Sequence, residues 1–414
     1  MPTQNERRSL NQPSTLDFSF GSEGNATTLL RGNRVIALAV VKTAGVDQGK
    51  ILGVCSNGSG PFLLFRLTRD GLLDTTFGEA GTGYAEGRFG ASTALSTPQG
   101  LTLLDNGAIL VIGHVRVSSI SDDYPAATLF NSNGTPNLVF GQFTFREPAP
   151  QAGPTPPPNA APATASGGLA DTGKILFTVN NSSPGPYRYW GLLIQLTLTG
   201  ELDPSLDGRG YIFFKHNNQN TSTVGVVTQA SGRIILAGST TDQGFLVGYT
   251  ATGQRDTSFG DQAGVKAFIS ADGPIRLNAV RVQTDNKPVA VGTMSNGSKG
   301  WVARTLDTGT DDSSFNNGNP VITEVPFARL HWTAADIDAN GSIVVAGEVD
   351  TRLCIVGRLT GDGRPDTTFS PSGISNHRAE HTPNITTSVA VQTPMQILVA
   401  GQKNSVPSVS RYHS

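Results

Sequence analysis

One short stretch returns seven times along this chain, and that recurrence limits the fold more than any other feature. Its fullest copy is Leu73-Asp74-Thr75-Thr76-Phe77-Gly78. Earlier and later copies are Leu16-Asp17-Phe18-Ser19-Phe20-Gly21, Asn137-Leu138-Val139-Phe140-Gly141 and Leu202-Asp203-Pro204-Ser205-Leu206. The remaining three are Asp256-Thr257-Ser258-Phe259-Gly260, Asp312-Ser313-Ser314-Phe315 and Asp366-Thr367-Thr368-Phe369. Between the Asp or Asn positions 17, 74, 137, 203, 256, 312 and 366 the steps are 57, 63, 66, 53, 56 and 54 residues. A period of that length marks a repeat architecture, in which each unit buries its apolar face against its neighbours.

The units run near 16–72, 73–136, 137–201, 202–254, 255–310, 311–364 and 365–414, after a polar tail at 1–15. Each follows one plan. After the Asp-x-x-Phe turn comes a short segment such as Tyr211-Ile212-Phe213-Phe214, then a second such as Ala37-Leu38-Ala39-Val40-Val41. A third is the most apolar, as in Ile109-Leu110-Val111-Ile112-Gly113 and Ile343-Val344-Val345-Ala346-Gly347. A fourth closes the unit, as in Phe62-Leu63-Leu64-Phe65-Arg66-Leu67. Short β-branched and apolar runs bounded by Gly, Asn, Asp and Pro are strands. Asn106-Gly107, Asp285-Asn286 and Asn340-Gly341 precede the third segment and suit tight hairpins. The expected fold is all-β: a seven-bladed β-propeller of four-stranded antiparallel blades. Blades packed on both faces explain why the third strand shows no polar alternation. The recurrent Phe is expected to plug the space between blades, each contributing about 1.5–3 kcal/mol. The Asp is expected to accept backbone N–H groups and fix the turn.

The pattern Asp-Gly-x-Leu-Asp-x-x-Phe-Gly, seen at Asp70–Gly78, resembles the delta-60 repeat family of bacterial β-propeller proteins. Gly232-Arg233-Ile234-Ile235-Leu236-Ala237-Gly238 and Arg411-Tyr412 carry further parts of it. The resemblance spans residues 16–414 and implies the propeller fold, with no catalytic motif to carry over. The third unit departs from it through Asn137 and a run from Pro148 to Pro162 holding seven prolines in fifteen residues. That run cannot supply ladder donors and reads as a polyproline-like excursion.

Hydrophobic residues are 37% and charged residues 15%, with a formal net charge of −2, so no global field favours nucleic acid or anionic lipid. The longest apolar run, Val35 to Val41, is far too short to span a bilayer. Arg7 and Arg8 lack an apolar core after them, so no secretory signal is read; localisation stays open between the cytoplasm and export without a cleaved leader. Cys55 and Cys354 fall in non-neighbouring units and are expected to be free and buried.

His377-Arg378-Ala379-Glu380-His381 matches the pattern of inverted zinc peptidases, which requires a helix. It falls where a strand is expected, so an exposed polar loop is the expectation and no metal or cofactor is assigned. A ring of Asp at one structural place reads as structural, since a catalytic set needs different residue types converging. Tyr187, Tyr189 and Trp190 form a candidate aromatic platform for a protein or glycan partner, while Trp332, next to His331, is expected to be packed. The leading function is a non-enzymatic binding scaffold. The competing readings are a hydrolase or lyase with residues in loops around the channel, and a lectin, which the single occurrence of the aromatic trio disfavours. The ring is expected to close blade one against blade seven with no strand borrowed between termini, Phe20 sealing the joint.

Overall fold

In the computed structural model the repeat and the blade are offset by one strand. The structure describes residues 12–414 except 59, 92, 118–122, 147–165, 171–172, 182–189, 217–218, 262, 295–298, 351–352 and 376–381, with backbone alone at 28 and 166–170. Blade one is β1 (Arg34–Val40), β2 (Ile51–Ser56), β3 (Phe62–Leu67) and β4 (Tyr84–Gly87), hydrogen-bonded in that order. Asp74 and Phe77 therefore lie between its third and fourth strands. The short segment after each Asp turn is the outer strand of the blade before it, not the first strand of the next.

Blade two is β5 (Leu95–Leu103), β6 (Ile109–Arg116), β7 (Asp123–Phe130) and β8 (Gln142–Thr144). Blade three is β9 (Ser166–Ala170), β10 (Lys174–Asn180), β11 (Gly191–Leu196) and β12 (Tyr211–Phe214). Blade four is β13 (Ser222–Thr228), β14 (Ile234–Ser239), β15 (Gly244–Tyr249) and β16 (Val265–Phe268). Blade five is β17 (Ile275–Val282), β18 (Pro288–Met294), β19 (Lys299–Arg304) and β20 (Val321–Thr323). Blade six has β21 (Leu330–Ile337), β22 (Ile343–Val349) and β23 (Leu353–Leu359), and blade seven β24 (Ile385–Thr393), β25 (Gln396–Lys403) and β26 (Val406–His413). All pairings are antiparallel, as in β13–β14–β15–β16.

The second strands are buried along their length, for example β14, β18 and β22. Their side chains alternate between two joints. Ile234 and Leu236 pack toward blade three, Ile235 and Ala237 toward blade five. Every joint has its own apolar cluster. That between blades seven and one includes Phe20, Val35, Cys55, Leu398 and Val409. Cys55 and Cys354 are free and buried in different joints.

The closure differs from the sequence expectation. The outer position of blade seven is filled from the N-terminal side of the chain. Ala26 N donates to Val409 O at 2.9 Å, Arg411 N donates to Gly24 O at 3.3 Å, and Asn25 bridges Ser410. Residues 14–17 run beside the same strand: Ser14 N to His413 O at 2.9 Å, His413 N to Thr15 O at 2.9 Å, and Asp17 N to Arg411 O at 2.8 Å. The Leu16–Tyr412 bridge repeats those of Leu73–Leu67 and Leu202–Leu196. The Asp17 turn thus belongs to blade seven, and a strand is borrowed. Reading each unit as starting at Asp concealed this, because the hydrogen-bonded blade starts one strand later. Phe20 does sit in the joint between blades seven and one, fully buried.

Asp123, Tyr124 and Pro125 belong to β7, paired with Arg116, Val115 and His114. Arg116 grips Asp123 with two bonds of 2.8 and 2.7 Å at the start of that pairing. The Pro148–Pro162 run lies outside the described residues, as does His377–His381.

Candidate functional site

An up-and-down blade puts the ends of its first and third strands on one face of the disc. That turn face carries the tight first-to-second connections, such as residues 104–108, and the Asp turns. The opposite, loop face carries the second-to-third connections and the links between blades.

On the turn face the recurrent Asp is an acceptor of a clip. Asp74 takes the Thr76 N–H at 3.0 Å, the Thr76 hydroxyl at 2.7 Å and the Arg66 Nε at 2.6 Å. Arg66 lies 4.9 Å from the Phe77 ring centre and donates across the joint to Ser132 O at 3.0 Å. Blade seven repeats this: Asp17 takes Ser19 N–H at 3.0 Å and Arg411 Nε at 2.8 Å, and Arg411 reaches Arg69 O of blade one at 2.6 Å. Blade five repeats it with Asp312 and Arg304 at 2.8 Å. In blade four Gly248 holds the Arg place, and Arg233 from the first-to-second turn reaches Asp256 at 2.6 Å instead. In blade two Asn137 caps the turn without charge, accepting Val139 N and Phe140 N at 3.1 and 3.0 Å. Phe20, Phe77, Phe140, Phe259 and Phe315 pack against the next blade's turn glycine, and Leu206 takes the Phe place against Gly253. A Cβ on Gly134 would come within 2.7 Å of Phe77, and one on Gly71 within 2.8 Å of Phe20. Both glycines are left-handed, at φ 89° and 84°, so the position demands glycine twice over. Sequence reasoning found the Asp and the Phe. The Arg eight residues before the Asp was visible in Arg66, Arg304 and Arg358, and at the same place in the last unit in Arg411, but sequence spacing alone does not reveal its pairing.

Burial pushes the Asp312 carboxyl up, but the Ser314 bonds, Lys287 and Arg304 outweigh it and hold the group down at about 2. Asp17, Asp74, Asp203 and Asp256 are likewise held below the ordinary carboxylate range. These are ionised, occupied carboxylates built into joints, not a convergent acid–base set.

The inner strands surround a channel of about 930 Å³. Six of them carry a bulge at the same register, at Ile36, Gln99, Val224, Asn278, Thr333 and Thr387. The residue after each bulge is small: Ala37, Gly100, Gly225, Ala279, Ala334 and Ser388. Strands converging on an axis leave room for little else. Polar groups come from blade two, with Gln99 and Thr102, and from blades five to seven, with Asn278, Thr333, Thr387, Arg281 and Asp336, while blades one and four contribute Ile36, Ala39, Val224 and Val227.

Of the aromatic trio, Tyr187 and Tyr189 lie outside the described residues. Trp190 stands at the loop-face start of β11, on the rim of blade three and away from the channel lining. It is half-buried, edge-on to Phe213 at 6.5 Å, with Lys215 Nζ 5.2 Å from its ring. Trp332 is packed between blades five and six. Sequence reasoning missed Phe327. Its side chain is fully exposed, 110% of the reference value, and its backbone is left-handed at φ 61°. It tops the link between β20 and β21, where Ala328 N donates to Val325 O at 3.2 Å. That link is tied to Asp350 by Arg329 N to Oδ1 at 3.0 Å and Asp350 N to Arg329 O at 2.9 Å.

Two stretches, 229–259 and 339–369, match a family described as a domain of unknown function (DUF5122) beta-propeller. Each covers the second and third strands and the Asp turn of one blade. No curated protein sequence matches. Solved structures with a similar course include the WD40 domain of Toxoplasma gondii coronin, at 10% identity, 93% of this chain, 83% of that chain and TM-score 0.49. The Dos1 propeller is similar at 11% identity, 94% of each chain and TM-score 0.46. Prolyl oligopeptidase B from Galerina marginata is similar at 13% identity and TM-score 0.47, over 100% of this chain and 55% of that one. Among the described residues no helix is long and apolar enough to cross a membrane.

Proposed function

We propose that this propeller, of the delta-60 repeat type, is a binding scaffold that presents its loop face to a protein partner. Phe327 carries the reading. A left-handed backbone at a bulky residue costs about 1–3 kcal/mol, and a fully exposed phenyl ring gains nothing by burial to offset it. The reciprocal Arg329–Asp350 bonds anchor the backbone two residues after it, so little backbone freedom is lost when a partner covers the ring. Trp190 lies on the same face, at the start of β11, and with its sequence neighbours Tyr187 and Tyr189 is proposed as a second contact for that partner.

The test is cross-linking from residue 327 with a photoreactive phenylalanine analogue. Free wild-type protein should compete the captured partner away. Phe327→Ser should compete about 30-fold less well, the loss of a central aromatic anchor, while the turn-face control Leu138→Ser competes normally. A glycan array should stay blank. Equal competition by all three proteins would remove Phe327 as an anchor.

A further inference from the structure

We infer that the rim cleft between blades four and five is a docking site for an extended polypeptide segment that carries a large apolar side chain and, about 10 Å along, a basic one. The cleft, of about 430 Å³, follows the outer strand of blade four from Lys266 to Ser270 and is bounded on its other side by blade five. Its floor is apolar: Phe268 and Trp301 meet edge to face at 4.9 Å, with Met294 in the same cluster. Two isoleucines that line it face water, Ile269 at 75% exposure and Ile322 at 41%.

The other blades are an internal control. In the shared register of the outer strands, Lys266 takes the place of Ala85, Phe143, Ile212 and Val321. Three residues on, Ile269 takes the place of Arg88, Arg146, Lys215 and Glu324. Blade four thus puts a charge where its neighbours are apolar and an apolar side chain where they are charged. Beside an open apolar cleft, the exposed isoleucines leave water only when a partner covers them. At the turn-face end, Lys266 Nζ holds one oxygen each of Asp261 and Asp311, at 3.0 and 2.9 Å. Those two acids are 50% and 66% exposed, and the other oxygen of each takes no bond among the described residues. Arg304, which also lines the cleft, is matched by Asp312 at 2.8 Å. Two carboxylates against one ammonium leave this end negative, and its complement is a Lys or Arg. Lys266 and Ile269 stand three residues apart in an extended run, about 10 Å, which sets the separation of the basic and apolar groups in the partner segment.

The probe is a random heptapeptide library displayed on phage and panned on the full chain, after depletion on the Ile269→Arg variant, which restores the charge of the other blades. Recovered peptides should pair a Leu, Ile, Phe or Met with a Lys or Arg two to four positions away. By fluorescence anisotropy a recovered peptide should bind saturably. Its copy with Gln in place of the basic residue should bind at least about 10-fold more weakly, near the value of one charge-assisted bond. Asp311→Asn, in which Asp261 still meets Lys266, should weaken the parent peptide by the same factor and leave the Gln copy unchanged. Ile269→Arg should weaken both peptides. Unchanged thermal midpoints check the folding of each variant. Failure to recover such peptides overturns the proposal, as does equal binding of the parent and its Gln copy. Phe327→Ser should bind the peptide normally, so the cleft and the Phe327 anchor stand or fall separately; loss of binding in that variant would move the peptide to the loop face and overturn the cleft assignment.

Discussion

At the residue scale the clip explains why an acid, a hydroxyl and a Phe keep fixed spacing. The hydroxyl-bearing residue two after the Asp closes the turn, and the Phe three after it fills the joint. The Arg ties both to the next blade. Arg66 and Asp74 are almost fully buried, at 4% and 5% exposure. Removing one partner leaves a buried charge that only Lys50, 2.7 Å from Asp74, or Asp47, 3.5 Å from Arg66, still meets, a loss bounded by the about 3–5 kcal/mol of a fully uncompensated buried charge. Blade two shows a charge-free version in Leu129 and Asn137, with Asn137 N donating to Leu129 O at 2.9 Å as Asp74 N does to Arg66 O. The single variants Arg66→Leu and Asp74→Asn should each lower the urea midpoint strongly, and the double variant should lose clearly less than their sum. Strict additivity would show that the pair is not coupled.

At the element scale the outer strand of blade seven comes from residues 24–26, with residues 14–17 beside it. Phe20→Ala should cost about 3–5 kcal/mol, as for other buried Phe truncations. Excising residues 12–26 removes Phe20, the Asp17 partner of Arg411 and the outer strand together, and should abolish cooperative unfolding. Removing residues 1–10, which lie outside the described part, is expected to leave the urea midpoint nearly unchanged. Chemical denaturation of the three proteins ranks them. An excision as mild as Phe20→Ala would mean that the borrowed strand contributes nothing beyond that ring.

For the whole molecule, the clips make stability depend on pH in a stated direction. The Asp carboxyls at 17, 74, 203, 256 and 312 have folded-state pKa values below the unfolded one. Their contribution is complete above about 4, the ordinary Asp value, and is lost as the pH falls toward about 2. His114 acts earlier. Burial lowers its pKa, and its Nε2 is 2.9 Å from Asn180 O. The neutral form is therefore favoured, and stability falls as the pH drops below about 6.5. Glu348 opposes the trend, since burial raises its pKa, but one such group faces five carboxylates. Thermal midpoints should decline from pH 6.5 and then steeply below pH 4. His114→Gln should reduce the first decline, which His216 and His331, also lowered by burial, share, and leave the second unchanged. A midpoint independent of pH between 4 and 2 would contradict the clip energetics.

The recurring Asp, Phe and apolar third segment determined the strand content, the number of blades and the burial of Cys55, Phe20 and Trp332. Those properties follow from local pattern: turn chemistry, a fixed period and side chains that must leave water. Where one blade stops was not legible, because hydrogen bonding between strands far apart in the chain, such as residues 24–26 with β26, leaves no trace in spacing. Nor was the Arg partner of each Asp, since the pair forms across a strand and a turn. The channel and the exposed Phe327 arose only when seven inner strands were placed around one axis. In sequence Phe327 is one more Phe among apolar neighbours; tertiary structure alone decides which rings are covered.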